Sequence, residues 1–252
     1  MRSAFTGREA SRRRRFPEND PFTVFADMPV LCTYCFQRYF DEFSSCPGFS
    51  ERVFFMILGL TGAIGCGKST ACDCFRRRGW LLFDADRACH ELYADPDSPF
   101  ARAVRREWGE SCFAPEGVID RKALAARVFD SDRELEKLTG MLYPALFGRM
   151  EKEIASARRE KRDMLCEIPL LFECGCEKYF DLTASVWSTR ALRHERLRKF
   201  RNFTQEEIAR REAKQWSAER KLEAAGIAFI NNGGPDFLCR QIDRFIKEYV
   251  QK

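Results

Sequence analysis

A glycine-rich stretch, residues 62–70, has the residue types and spacing of a phosphate-binding loop. It reads Gly-Ala-Ile-Gly-Cys-Gly-Lys-Ser-Thr and matches the pattern G-x-x-x-x-G-K-[ST], with an apolar run before it and a helical run after it. Glycines let the backbone curl until successive N–H groups point into one cavity, and the helix N-terminus adds partial positive charge. We therefore predict nucleotide contacts from these residues of the loop: Gly62, Gly65, Cys66, Gly67, Lys68, Ser69 and Thr70.

The end of this loop predicts catalysis as well as binding. Lys68 stands where a lysine ammonium group reaches the β- and γ-phosphates of ATP, and Ser69 stands where a hydroxyl group completes the coordination of Mg²⁺. A chance glycine-rich turn is the alternative, and the strand before and the helix after the loop argue against it. ATP and Mg²⁺ are therefore the expected cofactors.

Three carboxylates come at the ends of later apolar runs, where ligands bind in open α/β sheets. We expect Asp86 to accept a proton from an attacking hydroxyl group and Asp84 to help order Mg²⁺. Asp84 is equally suited to cap the next helix. Glu167 has the position of a Mg²⁺-holding carboxylate, and a polar residue that merely closes a strand is the equal alternative.

A parallel sheet would bring these residues together, and the apolar runs predict one. Each run is short and apolar on both faces, as buried parallel strands are, and helical periods lie between the runs. This alternation indicates a three-layer α/β/α fold of the P-loop type with a five-stranded parallel sheet. The predicted strands are Met56–Leu60, Trp80–Phe83, Met164–Ile168, Leu182–Trp187 and Ile227–Ile230.

Two stretches interrupt the alternation. Residues 87–162 predict several helices and are too long for one crossover, so we assign them to a helical substrate domain. Residues 190–221 predict a basic helical hairpin whose second helix opens at a capping box beginning at Thr204. That hairpin is either a pair of solvated helix faces or a mobile lid that carries arginines over ATP phosphates. The core is then residues 56–86, 163–189 and 222–252.

The composition limits the classes of protein to consider. The chain has 252 residues, of which 45% are hydrophobic and 32% charged, and its net charge is +5, as expected for a globular protein. No apolar run reaches the length of a membrane span, so we expect a cytoplasmic protein without membrane contacts. The small basic excess does not indicate nucleic acid. We expect a monomer or a weak homo-oligomer.

The cysteines and the N-terminal segment each have a simple interpretation. The 12 cysteines are scattered, and we interpret them as reduced thiols rather than as disulfides or a zinc site. Residues 1–55 contain many phenylalanines and arginines but no lysine, and they show no helical or strand period. We predict that they form a poorly ordered leader or that Met56 is the true start, with an accessory segment as the alternative.

Several further pieces, in order along the chain, resemble the dephospho-CoA kinase family. Besides the glycine-rich loop, they are Asp84-Ala-Asp86, Asp120-Arg121, Val128-Phe-Asp130, Tyr143-Pro144, Ile168-Pro-Leu-Leu-Phe-Glu173, Gln215 and Asn231-Asn-Gly233. The resemblance covers almost everything after Met56. It implies transfer of the ATP γ-phosphoryl group to the ribose 3′-hydroxyl of dephospho-CoA, the last step of coenzyme A synthesis. It also implies a nucleoside-monophosphate-kinase-like fold with a helical CoA domain and a lid.

The resemblance also assigns residues. Asp86 matches the family's proposed catalytic base. Because the lid turn is one residue shorter than the family pattern, three lid arginines compete. We assign Arg201 to catalysis, and we assign Arg196, Arg198 and Asn231 to nucleotide binding.

The chain also departs from the family pattern at several positions. Tyr143 stands where the family usually has histidine, and Glu167 stands where it often has aspartate. The Ala-Asp before the last strand reads Ala225-Gly226.

Other functions fit the sequence less well. Another small-molecule kinase of the nucleotide or shikimate type would share the glycine-rich loop, but the Asp-Ala-Asp motif and the long helical insertion favour dephospho-CoA. A GTPase would normally carry Asn-Lys-x-Asp, which the sequence lacks. A nucleic-acid-binding module would rest on the arginines from Arg12 to Arg15 and on the basic hairpin, which glutamates interrupt.

Overall fold

The computed structural model describes residues 55–128 and 131–250, so the predictions for the N-terminal segment and for Phe129-Asp130 lie outside the described residues. A five-stranded sheet forms the centre, with all pairings parallel and the order β2-β3-β1-β4-β5. The predicted strand class and number are confirmed. The strands are β1 (Ile57–Thr61), β2 (Leu81–Asp84), β3 (Met164–Glu167), β4 (Leu182–Trp187) and β5 (Ile227–Ile230).

Helices follow nearly every strand. The helices are α1 (Lys68–Arg76), α2 (Ala85–Ala94), α3 (Pro99–Trp108), α4 (Arg121–Val128), α5 (Asp132–Arg159), α6 (Arg190–Arg201), α7 (Gln205–Glu212), α8 (Ala218–Ala224) and α9 (Pro235–Phe245). Several start at a side chain that accepts a bond from the first turn, among them Ser98, Ser131, Thr189, Thr204 and Ser217. In the described residues, no helix is both long and apolar enough to cross a membrane.

The sheet has a hydrophobic core on each face. One core contains Phe75 of α1, whose ring contacts Trp80, Phe229 and Phe245 at centroid distances of 4.8, 6.0 and 6.3 Å. The other core packs the helices of the insertion against the opposite face. Three layers result, as the sequence predicts.

The loop after β3 packs closely on the central strand because Gly59 has no side chain. A Cβ at Gly59 would come within 2.4 Å of the Phe180 ring and 2.9 Å of Leu171. The amide of Ile168 donates to the carbonyl of Leu60 at 2.9 Å, which continues the sheet pairing into this loop. The segment that follows β3 is therefore held against the end of β1, where the glycine-rich loop begins.

One expectation is corrected by the structure. A disulfide joins Cys74 of α1 to Cys239 of α9, so the expectation that all cysteines are reduced thiols is wrong at these positions. The two Cα atoms are 5.5 Å apart, which is within the range of native disulfides.

Candidate active site

The glycine-rich loop runs from the end of β1 to the first turn of α1. Gly62, Gly65 and Gly67 have φ angles of 148°, 78° and 102°, which residues with a Cβ rarely adopt. The amide of Cys66 donates to the carbonyl of Ala63 at 3.2 Å and closes a tight turn within the loop. This is the curled backbone that a phosphate-binding pattern requires.

Lys68 and Ser69 open α1 next to this loop. The Lys68 ammonium group donates to the carbonyl of Gly62 at 3.0 Å, so it already lies over the loop. The side chain of Ser69 is exposed in the first turn, and Thr70 after it is half-buried. A phosphate group in the loop would therefore contact the lysine cation, the positive end of α1 and the exposed hydroxyl group of Ser69 together.

The thiol of Cys66 is a packing group. It is fully buried, and burial raises the pKa of Cys66 above its ordinary value although Lys68 lies nearby. The helix N-terminus could in principle have favoured a thiolate. Because desolvation dominates, the thiol stays protonated, and its buried side chain packs in the core next to the loop.

Asn231 connects the glycine-rich loop to α6. Its side-chain amide donates to the carbonyl of Cys66 at 2.8 Å, and only 4% of the residue is exposed. A Cβ at Gly67 would lie 2.1 Å from this amide nitrogen, so only glycine fits there. Arg196 in turn donates to the Asn231 carbonyl at 2.8 Å and reaches Ser188 at 3.5 Å. The structure thus brings two of the predicted nucleotide-binding residues together, behind the loop.

The predicted carboxylates lie close together at the carboxyl end of the sheet, where the parallel strands finish. In the strand registers, Glu167 pairs with Asp84 on one side and with Leu60 on the other. Asp84 Oδ1 accepts the amide of Arg87 at 2.9 Å, so this residue does cap α2. Asp86 is exposed in the first turn of the same helix. The carboxylates therefore stand beside the start of the glycine-rich loop.

Glu167 is half-buried among charged neighbours. Burial raises its pKa, while the charge of Lys68 and a hydrogen bond from the Cys72 thiol at 3.2 Å lower it, and Asp84 and Asp86 raise it again. Because the neighbouring carboxylates oppose its ionisation, a cation placed between them would favour the charged form. In the described ranges no group of three His, Cys, Asp or Glu residues is arranged to hold a metal ion by itself.

The remaining lid arginines differ in their surroundings. Arg198 and Arg201 are exposed on the last turns of α6. Arg193 on the preceding turn, which sequence reasoning did not single out, is only 4% exposed. It donates to the carbonyl of Ser188 at 2.8 Å and to Glu212 at 3.2 Å.

Glu212 joins α6 and α7 through a network with the buried side chains of Arg193 and His194. The same carboxylate oxygen also contacts His194 Nε2 at 3.1 Å. Burial alone would raise the pKa of Glu212, but the bonds from His194 and Arg193 bring it below its ordinary value. Sequence reasoning missed this network because a basic helix with occasional glutamates resembles a solvated surface, and no spacing rule marks which of its charges are buried.

Comparison with known proteins decides the family. The family model described as Dephospho-CoA kinase matches residues 56–236, from β1 into α9. The chain belongs to the dephospho-CoA kinase family. A dephospho-CoA kinase of Deinococcus radiodurans is 35% identical over 194 residues, covering 76% of this chain and 91% of that protein. One of Enterococcus faecalis is 32% identical over 196 residues, covering 78% and 98%.

Solved structures match the fold. The crystal structure of a Thermus thermophilus protein matches with a TM-score of 0.66 and 29% identity, covering 77% of this chain and 98% of that chain. A dephospho-CoA kinase from Campylobacter jejuni matches with a TM-score of 0.56 and 20% identity, covering 78% and 98%, which supports the fold.

Tyr143, which departs from the dephospho-CoA kinase pattern, is integrated into α5. Its ring stacks on Phe147 with centroids 5.7 Å apart and an interplanar angle of 14°, and Phe147 contacts Tyr179 at 5.9 Å. Burial raises the pKa of Tyr143, so its phenol stays protonated. The side chain therefore offers a neutral hydroxyl group at this position of α5.

Proposed function

We propose that this protein transfers the γ-phosphoryl group of ATP to the ribose 3′-hydroxyl of dephospho-CoA, giving coenzyme A and ADP. Membership of the dephospho-CoA kinase family supports the substrate and the reaction. The single observation that carries the residue assignments is the shared edge where Glu167, Asp84 and the start of the glycine-rich loop meet. It supplies a phosphate cradle and carboxylates side by side.

In this proposal the loop binds and the carboxylate activates. The backbone of residues 62–67 and the ammonium group of Lys68 hold the β- and γ-phosphates, and Lys68 exchanges its bond to Gly62 for phosphate oxygens. Asp86 takes the proton from the 3′-hydroxyl group, and the oxygen of that hydroxyl group forms a bond to the γ-phosphorus. The bond from that phosphorus to the β,γ-bridging oxygen breaks, and ADP leaves.

Mg²⁺ fits the donor set as a partly hydrated ion. It commonly takes one or two carboxylates, with water and substrate phosphates at its other positions. Ser69, Asp84 and Glu167 would hold it, and all are oxygen donors close to the loop. When bound, Mg²⁺ neutralises charge on the β- and γ-phosphates.

The lid supplies the remaining positive charge. We propose that Arg198 and Arg201, both exposed on α6, close over the phosphates, with Arg201 at the transferring group. Closure would exclude water, which competes as an acceptor. Arg196 and Asn231 act by holding the loop and the lid in register.

The domain division and the setting belong to the same proposal. Residues 87–162 would bind dephospho-CoA, residues 190–221 would form the lid, and the rest of 56–252 would form the core. We propose that the protein acts in the cytoplasm, as a monomer or weak homo-oligomer, without nucleic-acid partners.

The test is coupled release of ADP from ATP and Mg²⁺ with a panel of acceptors: dephospho-CoA, AMP, CMP, shikimate and buffer alone. We expect turnover with dephospho-CoA only, and phosphate on the 3′-oxygen of the product. Turnover with a different acceptor would keep the kinase chemistry and overturn the substrate. ADP release in buffer alone, at the rate seen with acceptors, would overturn the kinase assignment.

A further inference from the structure

Lys221 of α8 is a lysine with no exposed surface. Its ammonium group contacts Glu173 Oε1 at 3.0 Å and donates to the carbonyl of Pro169. Lysine is almost never fully buried unless it is paired, because removing an ammonium group from water is costly. A buried cation between the C-terminal end of the lid and the loop after β3 therefore calls for a reason beyond solubility or surface charge.

Glu173 also holds the polypeptide at the end of the lid. The same oxygen, Oε1, accepts the amide of Trp216 at 2.7 Å. The Trp216 ring stacks on Phe172 with centroids 6.1 Å apart and an interplanar angle of 15°, and Arg220 covers Trp216 at 3.4 Å. We call Phe172, Glu173, Trp216 and Lys221 the lid anchor. It fastens the chain where the lid returns to the core.

The other partner of Lys221, the Pro169 carbonyl, lies near the end of the sheet that carries Glu167. The Pro169 carbonyl also accepts the hydroxyl group of Thr61 at 3.1 Å, and Thr61 is the last residue of β1. Pro169 is two residues after Glu167 and three residues before Phe172 of the lid anchor. One buried ammonium group thus connects the lid, the segment that carries Glu167 and the strand that leads into the glycine-rich loop.

We propose that Lys221 and Glu173 are positioning residues for phosphoryl transfer, which hold the returning end of the lid and the Glu167–Pro169 segment in one fixed register. Because the returning end of the lid has a fixed position, closure brings the exposed lid arginines and Glu167 to the same γ-phosphate and Mg²⁺. The inference rests on the proposed function, since it assumes that the lid closes over bound ATP. Neither residue touches a reacting atom.

The test removes the charge pair without leaving a lone buried charge. Lys221→Met alone strands Glu173, and such a variant is prone to unfold. In Lys221→Met/Glu173→Gln both groups are neutral, and the glutamine oxygen still accepts the Trp216 amide. The control is Lys137→Met/Glu107→Gln, which removes an ion pair of 2.6 Å between half-buried side chains in the helical insertion.

We expect the double variant to melt close to wild type while kcat falls about tenfold to a hundredfold, as for a slight misplacement of catalytic groups. The KM for ATP should change little, because the glycine-rich loop still binds the nucleotide. The Mg²⁺ concentration for half-maximal activity should rise several-fold, which a merely structural pair would not cause. The control should match wild type in all three.

A second readout does not depend on the acceptor. The exposed lid residues Arg198, Lys199 and Arg201 are trypsin sites, and a non-hydrolysable ATP analogue with Mg²⁺ should protect them in wild type. The double variant should lose this protection. If wild type is protected but does not phosphorylate dephospho-CoA, the proposed function fails while the anchor is still tested by protection.

Phe172→Leu, which loosens the ring stack without touching a charge, covers the case in which the double variant does not fold. It should show the same combination of lower kcat and weaker Mg²⁺ response, to a smaller extent. The proposal is overturned if the folded double variant has wild-type kcat, Mg²⁺ response and lid protection. If the double variant does not fold, the same result for Phe172→Leu overturns it. The pair would then contribute to structure only.

Discussion

The glycine-rich loop and the lid meet at Asn231, but they are built in opposite ways. The loop is one contiguous stretch whose shape comes from glycines with positive φ. The lid places its cations through partners far along the chain: the partly buried Arg196 on the carbonyl of Asn231, and the buried Lys221 on Glu173. The loop is therefore encoded by spacing along the sequence, and the lid by contacts across the fold.

This difference predicts different responses to change. Substitutions in the loop should remove binding or chemistry and leave stability nearly intact, because the loop has few long-range partners to lose. Substitutions in the Glu212 network, which joins α6 and α7, should first change stability and its pH dependence. The following variants test the contrast, starting with the largest expected effect.

Lys68→Ala should have the largest effect on turnover. It removes a cation aimed at developing charge on the transferring phosphoryl group, which we expect to cost about 10³-fold in kcat. The melting temperature should stay near wild type, because the variant loses a hydrogen bond to the carbonyl of Gly62 at a half-buried position and leaves the hydrophobic core intact. Steady-state ADP release and thermal melts measure both. Lys214→Ala, at an exposed lysine of the lid, is the control, and equal losses in the two variants would contradict the role of Lys68.

Asp86→Asn should cost about 10²-fold in kcat, since it removes a general base while keeping size and polarity. The affinity for ATP should hold, because Asp86 is exposed beside the nucleotide cradle and outside it. Asp236→Asn is the matched control, as it is also an exposed aspartate in the first turn of a helix. Turnover of Asp86→Asn at the wild-type rate would show that another group accepts the proton.

Glu212→Gln should act on stability rather than on the chemical step. Weakening charged hydrogen bonds to the buried Arg193 and to His194 should cost about 2 kcal/mol of unfolding free energy. Glu207→Gln, which disrupts an exposed pair with Arg211 on the same helix, should cost far less. Chemical denaturation of both variants at neutral pH provides the measurement, and equal losses would remove the distinction between the two pairs.

The same residue predicts a pH dependence. The pKa of Glu212 is lower in the folded protein than its ordinary value of 4.5. Its contribution is therefore complete above about pH 4.5 and disappears as the pH falls through the lowered value. Wild type should lose more unfolding free energy between neutral pH and that range than Glu212→Gln does. Parallel curves for the two proteins would contradict the assignment.

Asn231→Ala should have the smallest effect of the series, about tenfold in the KM for ATP, because it removes one buried bond to the carbonyl of Cys66. Asn232→Ala is the neighbouring control, since Asn232 accepts the amide of Thr189 at 3.1 Å and does not touch the loop. If only Asn232→Ala weakened ATP binding, the tether between Asn231 and the loop would have no part in binding the nucleotide.

The sequence predicted the elements that depend on local periodicity. Short runs that are apolar on both faces form buried parallel strands, so the strands could be predicted from the sequence. β4 and β5 have the predicted bounds, and β1 is displaced by one residue. The glycine-rich loop was predicted in full, since its φ angles follow from residue type. Asp84 remained open between a cap and a metal ligand, and only the bond from Arg87 shows that it caps α2.

The sequence did not predict the long-range pairings. Cys74 and Cys239 are 165 residues apart, and nothing in their spacing indicates a bond. Arg193 lies between exposed charges on a basic helix, yet it is buried because α7 places Glu212 beside it. Lys221 follows an ordinary polar stretch and is buried because the loop after β3 provides two oxygen acceptors.

By itself, then, the sequence determined the strands, the glycine-rich loop and the capping box at Thr204 of this protein. Each of these depends on the dihedral preferences and hydrogen bonds of residues a few positions apart. Only the tertiary structure decided which charges are buried, which cysteines are bonded and which residues hold the lid to the core. The cost of burying a charge depends on water being excluded and on a partner within about 3–4 Å, and both conditions are met only when distant segments pack together.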